Sequence, residues 1–250
     1  MADEVLSEVR GRVLLITLNR PDARNAVNSA LAQALLAAVE RLDEDKDLTA
    51  GILTGAGRGF CSGMDLKAFA QEGFPRGFDR LLKRESAKPL IAAIEGFALA
   101  GGLEIALTCD LLVAARGAKL GIPEVSVGLL AAGGALLRLP RQLPYGVAME
   151  MALTAQPILA EQAHEYGLVS RLCEPGEAVD RALELAELIT KNAPLAVAAS
   201  KQMIRATQGR TEAELWEFQL PLAAKLLNSK DAKEGPLAFI QKRAPNWQGE

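Results

Sequence analysis

Short apolar segments alternate with a helical pattern in the first part of the chain, and this alternation constrains the fold more than any other feature. Segments 13–18 and 50–55 are apolar enough to form buried strands. Between them, Asn28 can cap a helix with apolar residues at helical spacing. These residues are Leu31, Leu35, Ala38, Val39 and Leu42. Strand, helix and strand in succession predict a parallel sheet covered by helices, which is an α/β class.

Further segments extend this pattern along the chain. Residues 5–10 and 13–18 predict a hairpin around Gly11-Arg12, and 88–96 and 111–115 predict further strands. Residues 98–110 predict a helix entered through glycines, and 70–87 predict an irregular, mobile segment. From about residue 133 onward the pattern is mostly helical, with 169–172 as one more strand.

The last fifth of the chain carries clear helix-start signals. Thr211 with Glu214, and Asp231 with Glu234, fit the capping-box pattern, with Thr211 and Asp231 as the caps. Pro221 falls inside the first of these helices, where a kink or break is expected. We therefore predict a βα core over residues 1–190 and a helical C-terminal region over residues 191–250.

Charge and composition exclude several classes of function. The net charge is −3 and the 28 basic and 31 acidic residues are interspersed, so no basic surface for nucleic acid is expected. No apolar run reaches the roughly 18 residues of a membrane span. Three scattered cysteines, Cys61, Cys109 and Cys173, and the lack of a leader-like start predict a reduced, cytoplasmic protein.

Two glycine-containing junctions lead into helices and carry the chemistry. They are Phe60-Cys61-Ser62-Gly63-Met64-Asp65-Leu66 and Ala98-Leu99-Ala100-Gly101-Gly102-Leu103-Glu104. Each offers unpaired backbone N–H groups at a helix start, where negative charge is favoured. Glu104 follows within the first turn, and Glu124 comes after Pro123. By spacing alone, Glu104 could simply offset the helix dipole and Glu124 could be a surface residue.

These motifs resemble those of the crotonase superfamily. The first junction matches its pattern of Phe, two small residues, Gly, any residue, Asp and an aliphatic residue, and the second matches its Gly-Gly-x-Glu helix start. Segment 20–28 resembles the family's early Arg-Pro motif. Segment 121–141 resembles its Pro-Glu and Arg-Leu motifs, and segment 235–247 resembles its C-terminal Phe-x-x-Lys-Arg motif. The matches keep the family's order over nearly the whole chain.

The resemblance implies the ClpP/crotonase-like fold, with repeated ββα units in a spiral core and a C-terminal helical trimerisation region. It assigns an oxyanion hole for a thioester carbonyl to the backbone N–H groups of Met64 and Gly101. It assigns general acid and base roles to Glu104 and Glu124, and both glutamates together favour hydration. Two carboxyls this close are expected to titrate as a coupled pair.

The resemblance also implies an acyl-coenzyme A substrate, with no metal and no cofactor beyond the coenzyme A of that substrate. The residues expected to bind it are Asp22, Ala23, Arg24, Ser62, Asp65, Leu66 and Lys67, together with Lys242, which in the family can reach the coenzyme A of a neighbouring subunit. Arg24 and Lys242 could equally be solvated surface charges. The expected assembly is a homotrimer or a dimer of trimers, with no nucleic acid or membrane partner.

The leading functional hypothesis is reversible hydration of a trans-2-enoyl-CoA to a 3-hydroxyacyl-CoA. The alternatives are an isomerase or a dehydratase of a functionalised acyl-CoA such as carnitinyl-CoA, and a non-catalytic binding homologue. Ala100 and the segment 131–134 depart from the commonest hydratase pattern, and the segment after Leu66 is short and glycine-rich. These departures border the expected acyl pocket and therefore bear on substrate identity.

Overall fold

The computed structural model describes residues 3–250 and contains two sheets. Its strands are β1 (Val5–Arg10), β2 (Val13–Leu18), β3 (Ala50–Gly55), β4 (Leu90–Ile94), β5 (Phe97–Leu99), β6 (Leu111–Ala115), β7 (Lys119–Gly121), β8 (Ile158–Leu159) and β9 (Arg171–Cys173). The larger sheet has the order β1-β2-β3-β4-β6-β9, with β1 antiparallel to β2 and the other pairs parallel. The smaller sheet has the order β5-β7-β8.

Eleven α-helices connect and cover these strands within the described residues. They are α1 (Ser29–Glu44), α2 (Leu66–Glu72), α3 (Phe78–Lys83), α4 (Gly101–Ala106), α5 (Ala135–Gln142), α6 (Tyr145–Thr154), α7 (Ala160–Glu165), α8 (Ala178–Thr190), α9 (Pro194–Ala206), α10 (Glu212–Leu227) and α11 (Asp231–Ile240). Short 3₁₀ helices span Pro21–Ala23 and Pro123–Val127.

The chain steps between the two sheets in repeated ββα units. β4 lies in the large sheet, β5 in the small one, and α4 follows. β6 and β7 repeat the step, and the 3₁₀ helix Pro123–Val127 comes next. In each unit a helix begins directly after the strand in the small sheet. Since these strands are neighbours, the beginnings of the successive helices lie in one region of the molecule. This is the crotonase fold expected from the sequence motifs.

Both faces of the central strands of the large sheet are buried, and alternate residues of these strands face different cores, whereas the edge strand β1 is exposed. On β2, Leu14 and Ile16 join the larger core, which contains the apolar face of α1. Val13 and Leu15 join the other core, where the small residues of α8 allow the helix to lie close to the sheet. The largely aliphatic interior is thus divided between two layers.

The segment 70–87 is more ordered than the sequence suggested. It contains the end of α2 and the whole of α3, so the prediction of an irregular segment was wrong. Phe78, Leu81 and Leu82 of α3 are buried, and α3 packs against α1. The helix forms because of this tertiary packing, which the polar composition of the segment conceals.

The predicted helix over 98–110 is also shorter than expected. Residues 97–99 form β5, and α4 covers only Gly101–Ala106. Strands β5, β7 and β8 have three residues or fewer, which is too short for a periodic signal in the sequence. They exist because each pairs with a segment distant along the chain.

The C-terminal helices confirm one predicted cap and contradict the other. The Thr211 hydroxyl accepts the Glu214 N–H at the start of α10, and the Glu214 carboxylate accepts the Thr211 N–H. Asp231 is instead the first residue of α11, and it accepts the N–H groups of Gln248 and Gly249. The helix α10 continues through Pro221 without ending there.

The described residues include no helix long and apolar enough to cross a bilayer. All three cysteines are buried free thiols. Burial raises the pKa of the Cys61 and Cys109 thiols to about 12. The division at residue 190 stays a prediction, and the first two residues of the 1–190 region lie outside the described chain.

Candidate active site

One cavity of about 450 Å³ gathers the residues expected to perform catalysis. Met64, Gly101, Glu104 and Glu124 all line it, although they come from three separate segments of the chain. Ser62 and Leu66 line it as well. The geometry therefore brings together both predicted carboxyls and both predicted backbone donors.

The two backbone donors lie on neighbouring segments. The Val27 N–H donates to the Gly63 carbonyl at 2.8 Å, and Val27 accepts the Asp65 N–H at 2.9 Å. Because successive peptide groups of an extended chain alternate in direction, the Met64 N–H points away from Val27. Within residues 3–250, neither the Met64 nor the Gly101 N–H donates to a protein acceptor. Both donors are thus available to a ligand in the cavity.

Glycine at position 63 permits the close approach of these segments. A Cβ at Gly63 would lie 2.7 Å from the Ala100 Cβ and 3.1 Å from the Gly101 nitrogen. Gly63 also has a φ of +99°, which a residue with a side chain adopts only with strain. The glycine in this junction is therefore required both for its backbone conformation and for the spacing of the two donors.

Ala100 occupies a backbone conformation that favours glycine. Its φ is +50° and its ψ is −132°, immediately before the first residue of α4. Such a conformation costs an alanine about 1–3 kcal/mol. The departure from the family's glycine at this position is thus accommodated with strain, directly beside the Gly101 donor.

Glu104 is held by backbone donors from a loop 30 residues further along the chain. Its side chain is buried, with a residue exposure of 4%. The Ala135 N–H donates to its carboxylate at 3.2 Å, and the Gly133 N–H lies close enough to act on the same carboxylate. Burial raises the pKa of Glu104, while these two donors and the charge of Arg138 act in the opposite direction.

Glu124 has a different environment in the first turn of the 3₁₀ helix Pro123–Val127. Its Oε2 atom is buried, and no donor within residues 3–250 reaches it. Burial raises the pKa of Glu124 to about 7, and the negative charge of Glu104 contributes to this rise. The fold raises the pKa of both carboxyls, but backbone donors partly offset the rise on Glu104, whereas the Oε2 atom of Glu124 has no donor within residues 3–250.

The remaining wall of the cavity is mostly apolar. It is formed by the side chains of Phe74, Phe78, Leu82, Val127, Leu129, Leu130 and Leu137. The Phe74 and Phe78 rings stack with their centroids 5.8 Å apart. A Cβ at Gly101 would lie 2.9 Å from Phe78, so the aromatic ring packs close to the backbone of Gly101. Such a wall suits an apolar group attached to a polar reacting centre.

A second cavity, of about 590 Å³, lies beside the first junction. Asp22 and Arg24 line it, together with Arg58 and Phe97. The Ser62 N–H donates to the Arg24 carbonyl at 3.1 Å, which joins this loop to the segment bearing Met64. An aromatic ring with two guanidinium groups can bind a planar base and a phosphate.

The other predicted binding residues lie outside the walls of these two cavities. Asp65 caps α2 and forms an ion pair with Arg20 at 3.0 Å, an interaction that lowers its pKa despite partial burial. Lys67 is exposed on α2, and Ala23 is half-buried. Lys242 is exposed at the end of α11. Their roles in binding stay predictions.

The sequence analysis did not single out Arg58 or Arg138 as site residues. Arg58 lies two residues before Phe60 of the first junction, and Arg138 lies within the Arg-Leu motif. Both are charged residues next to or within the motifs that the sequence analysis identified. Their position was the available signal.

These features place the chain in a known class of proteins. The model of the enoyl-CoA hydratase/isomerase family matches residues 8–250, and the chain belongs to that family. It is 45% identical to enoyl-CoA hydratase EchA19 of Mycobacterium tuberculosis, over 98% of this chain and 96% of the relative. It is 38% identical to carnitinyl-CoA dehydratase of Proteus mirabilis over the full length of both chains. The crystal structure of a probable enoyl-CoA hydratase/isomerase from Mycobacterium abscessus superposes with a TM-score of 0.95, at 54% identity and with full coverage of both chains.

Proposed function

We propose that this protein is an enoyl-CoA hydratase, which adds water reversibly to a trans-2-enoyl-CoA to give a 3-hydroxyacyl-CoA. The observation that carries the proposal is the pair of unlike carboxyls, Glu104 and Glu124, on one cavity with two free backbone donors. Membership of the family and the hydratase named among the relatives support the same activity.

The thioester carbonyl is bound by the N–H groups of Met64 and Gly101. These donors stabilise the negative charge that develops on the carbonyl oxygen when the nucleophile attacks Cβ. Removing one donor from such a hole typically lowers the rate by about 10²–10³. Because both donors are main-chain groups, the residue at position 64 needs no particular side chain.

The two glutamates divide the proton transfers between them. Glu104, whose charged form is supported by backbone donors, takes a proton from water as the water oxygen forms a bond to Cβ. The π electrons of the double bond move toward Cα and the thioester oxygen. Glu124, with its pKa near 7, then donates its proton to Cα. Proton exchange with solvent restores both carboxyls.

Turnover of purified protein with crotonyl-CoA and longer trans-2-enoyl-CoAs tests the proposal. Loss of the conjugated thioester absorbance gives the rate. Glu104→Gln and Glu124→Gln should each lower kcat by orders of magnitude while the protein stays folded. Absence of turnover at every chain length with folded wild-type protein would contradict the proposal.

Dehydration of a functionalised 3-hydroxyacyl-CoA is the second candidate. It is supported by the full-length match to a carnitinyl-CoA dehydratase, and it runs through the same proton transfers in reverse. Faster turnover of carnitinyl-CoA than of any simple enoyl-CoA would favour it. An isomerase that uses Glu124 as its single base would instead retain most activity in Glu104→Gln.

For binding and assembly we extend the proposal to residues outside the catalytic cavity. Coenzyme A follows the segment 62–67 and reaches Asp22, Ala23 and Arg24, with Lys242 contributed by a neighbouring subunit. A homotrimer or dimer of trimers is supported by exposed apolar side chains on α10 and α11, namely Trp216, Leu220, Leu227, Phe239 and Ile240. Light scattering after gel filtration tests the assembly. We further propose a cytoplasmic location and no cofactor beyond coenzyme A.

A further inference from the structure

Arg138 on α5 links two walls of the catalytic cavity. Its guanidinium donates to the Leu82 carbonyl on α3 at 2.7 Å and to the Gly133 carbonyl at 3.3 Å. Gly133 belongs to the 133–135 loop, whose Ala135 N–H donates to the Glu104 carboxylate. Arg138 therefore holds in place the loop that contacts Glu104, and it connects that loop to α3 in the apolar wall of the cavity.

Two consecutive glycines make room for this arrangement. A Cβ at Gly133 would collide with a carboxylate oxygen of Glu104. A Cβ at Gly134 would lie 2.5 Å from Nη1 of Arg138, and Gly134 has a φ of +110°. The lack of a side chain at Gly133 thus leaves room for the Glu104 carboxylate, and the lack of one at Gly134 leaves room for the Arg138 guanidinium. The same short loop therefore packs against both charged groups.

The charge of Arg138 also acts on Glu104. Arg138 is half-buried, and burial lowers the pKa of its guanidinium, whereas the negative charge of Glu104 raises it. The reciprocal effect lowers the pKa of Glu104. The charged groups around Arg138 are Arg141 on α5, Arg205 on α9, Glu85 after α3 and Glu104 on α4, while Asp79, Lys83 and Glu124 share the cavity wall. Arg138 is thus a half-buried cation whose charge acts on Glu104.

We propose that Arg138 is a positioning residue that holds the 133–135 loop against Glu104 and, as a neighbouring cation, favours the ionised carboxylate of Glu104. This inference rests on the proposed hydration, since it assigns Glu104 the role of base. Arg138 acts through Glu104 and the loop, and it takes no part in bond formation itself.

Two substitutions separate the geometric role of Arg138 from its charge. Arg138→Gln removes the charge and one arm of the bridge, whereas Arg138→Lys keeps the charge but presents a single point donor that cannot span both carbonyls. We expect Arg138→Gln to lower kcat by about tenfold to a hundredfold, as expected when a reacting group is misplaced. KM should change much less.

The dependence of kcat on pH tests the role of the charge. In Arg138→Gln, the acidic limb of the profile of kcat against pH should move to higher pH, because Glu104 then ionises less readily. Arg138→Lys should lower kcat but leave that limb near its wild-type position.

Arg141→Gln is the matched control. Arg141 lies on the same helix, but its guanidinium bonds to Gln208 on the exposed surface. Its removal should leave kcat and the acidic limb unchanged. An unshifted limb in Arg138→Gln, or a kcat no lower than that of Arg141→Gln, would overturn the proposal.

A titration without substrate distinguishes failure of this inference from failure of the proposed function. Carbon-13 NMR of labelled glutamate carboxyls, assigned with Glu104→Gln, should place the Glu104 pKa higher in Arg138→Gln than in wild type. That result would support the inference even if wild type hydrates no enoyl-CoA. An identical Glu104 titration in both proteins would refute it even if hydration is confirmed.

Discussion

Glu124→Gln should stabilise the folded protein at alkaline pH while abolishing most of its activity. Glu124 is half-buried, and its buried Oε2 atom has no protein donor within residues 3–250. Its ionised form is therefore poorly accommodated by the fold. Glutamine has nearly the same shape and stays neutral at every pH, so the variant avoids that cost.

The size of the effect follows from the pKa of Glu124. The fold raises this pKa from 4.5 to about 7. The folded state thus binds the proton more tightly than the unfolded state. The resulting stability is complete below pH 4.5 and is lost as the pH rises through 7. The full loss corresponds to about 3 kcal/mol, since each pKa unit is worth about 1.4 kcal/mol. Partial solvent exposure reduces it to about 2 kcal/mol.

Thermal unfolding of both proteins at pH 5 and pH 8.5 measures this difference. For a chain of this size about 2 kcal/mol corresponds to roughly 4–8 °C in Tm. We expect the variant to melt higher by that amount at pH 8.5 and by about 2 °C or less at pH 5. Protein concentration must be equal in all samples, because assembly also affects Tm.

Glu165→Gln provides the control, since Glu165 is an exposed carboxylate at the end of α7. Its Tm should stay within about 1 °C of wild type at both pH values, as expected for a surface substitution. Equal Tm shifts for Glu124→Gln at pH 5 and pH 8.5, or a lower Tm at pH 8.5, would refute the reasoning about the buried carboxyl.

Two further predictions concern the backbone of the site. Ala100→Gly should raise the free energy of unfolding by about 1–2 kcal/mol because it relieves the positive φ of Ala100, and a lower Tm would contradict this. Gly133→Ala should lower kcat by about a hundredfold because the added Cβ collides with the Glu104 carboxylate. Gly146→Ala is its control, because a Cβ there meets no atom within 4 Å, and steady-state kinetics of both variants decide the comparison.

The sequence alone predicted much of the framework, because the signals involved are local. The bounds of β1, β2, β3 and β6 match the apolar segments exactly. The Asn28 side chain accepts the Leu31 N–H at the start of α1, as its position predicted. The motifs also indicated the family and the four residues that line the catalytic cavity together.

Other features depend on contacts between distant segments and have no local signal. Helix α3 is stabilised by packing on α1, and β5, β7 and β8 depend on pairing with remote segments. The difference between Glu104 and Glu124 is of the same kind. In the sequence, both residues are glutamates in the first turn of a helix, and nothing local distinguishes their environments. Only the folded chain brings the 133–135 loop with its Ala135 N–H to one carboxylate and leaves the buried Oε2 atom of the other without a donor within residues 3–250. A carboxyl's pKa is set by its surroundings, and tertiary structure supplies those surroundings.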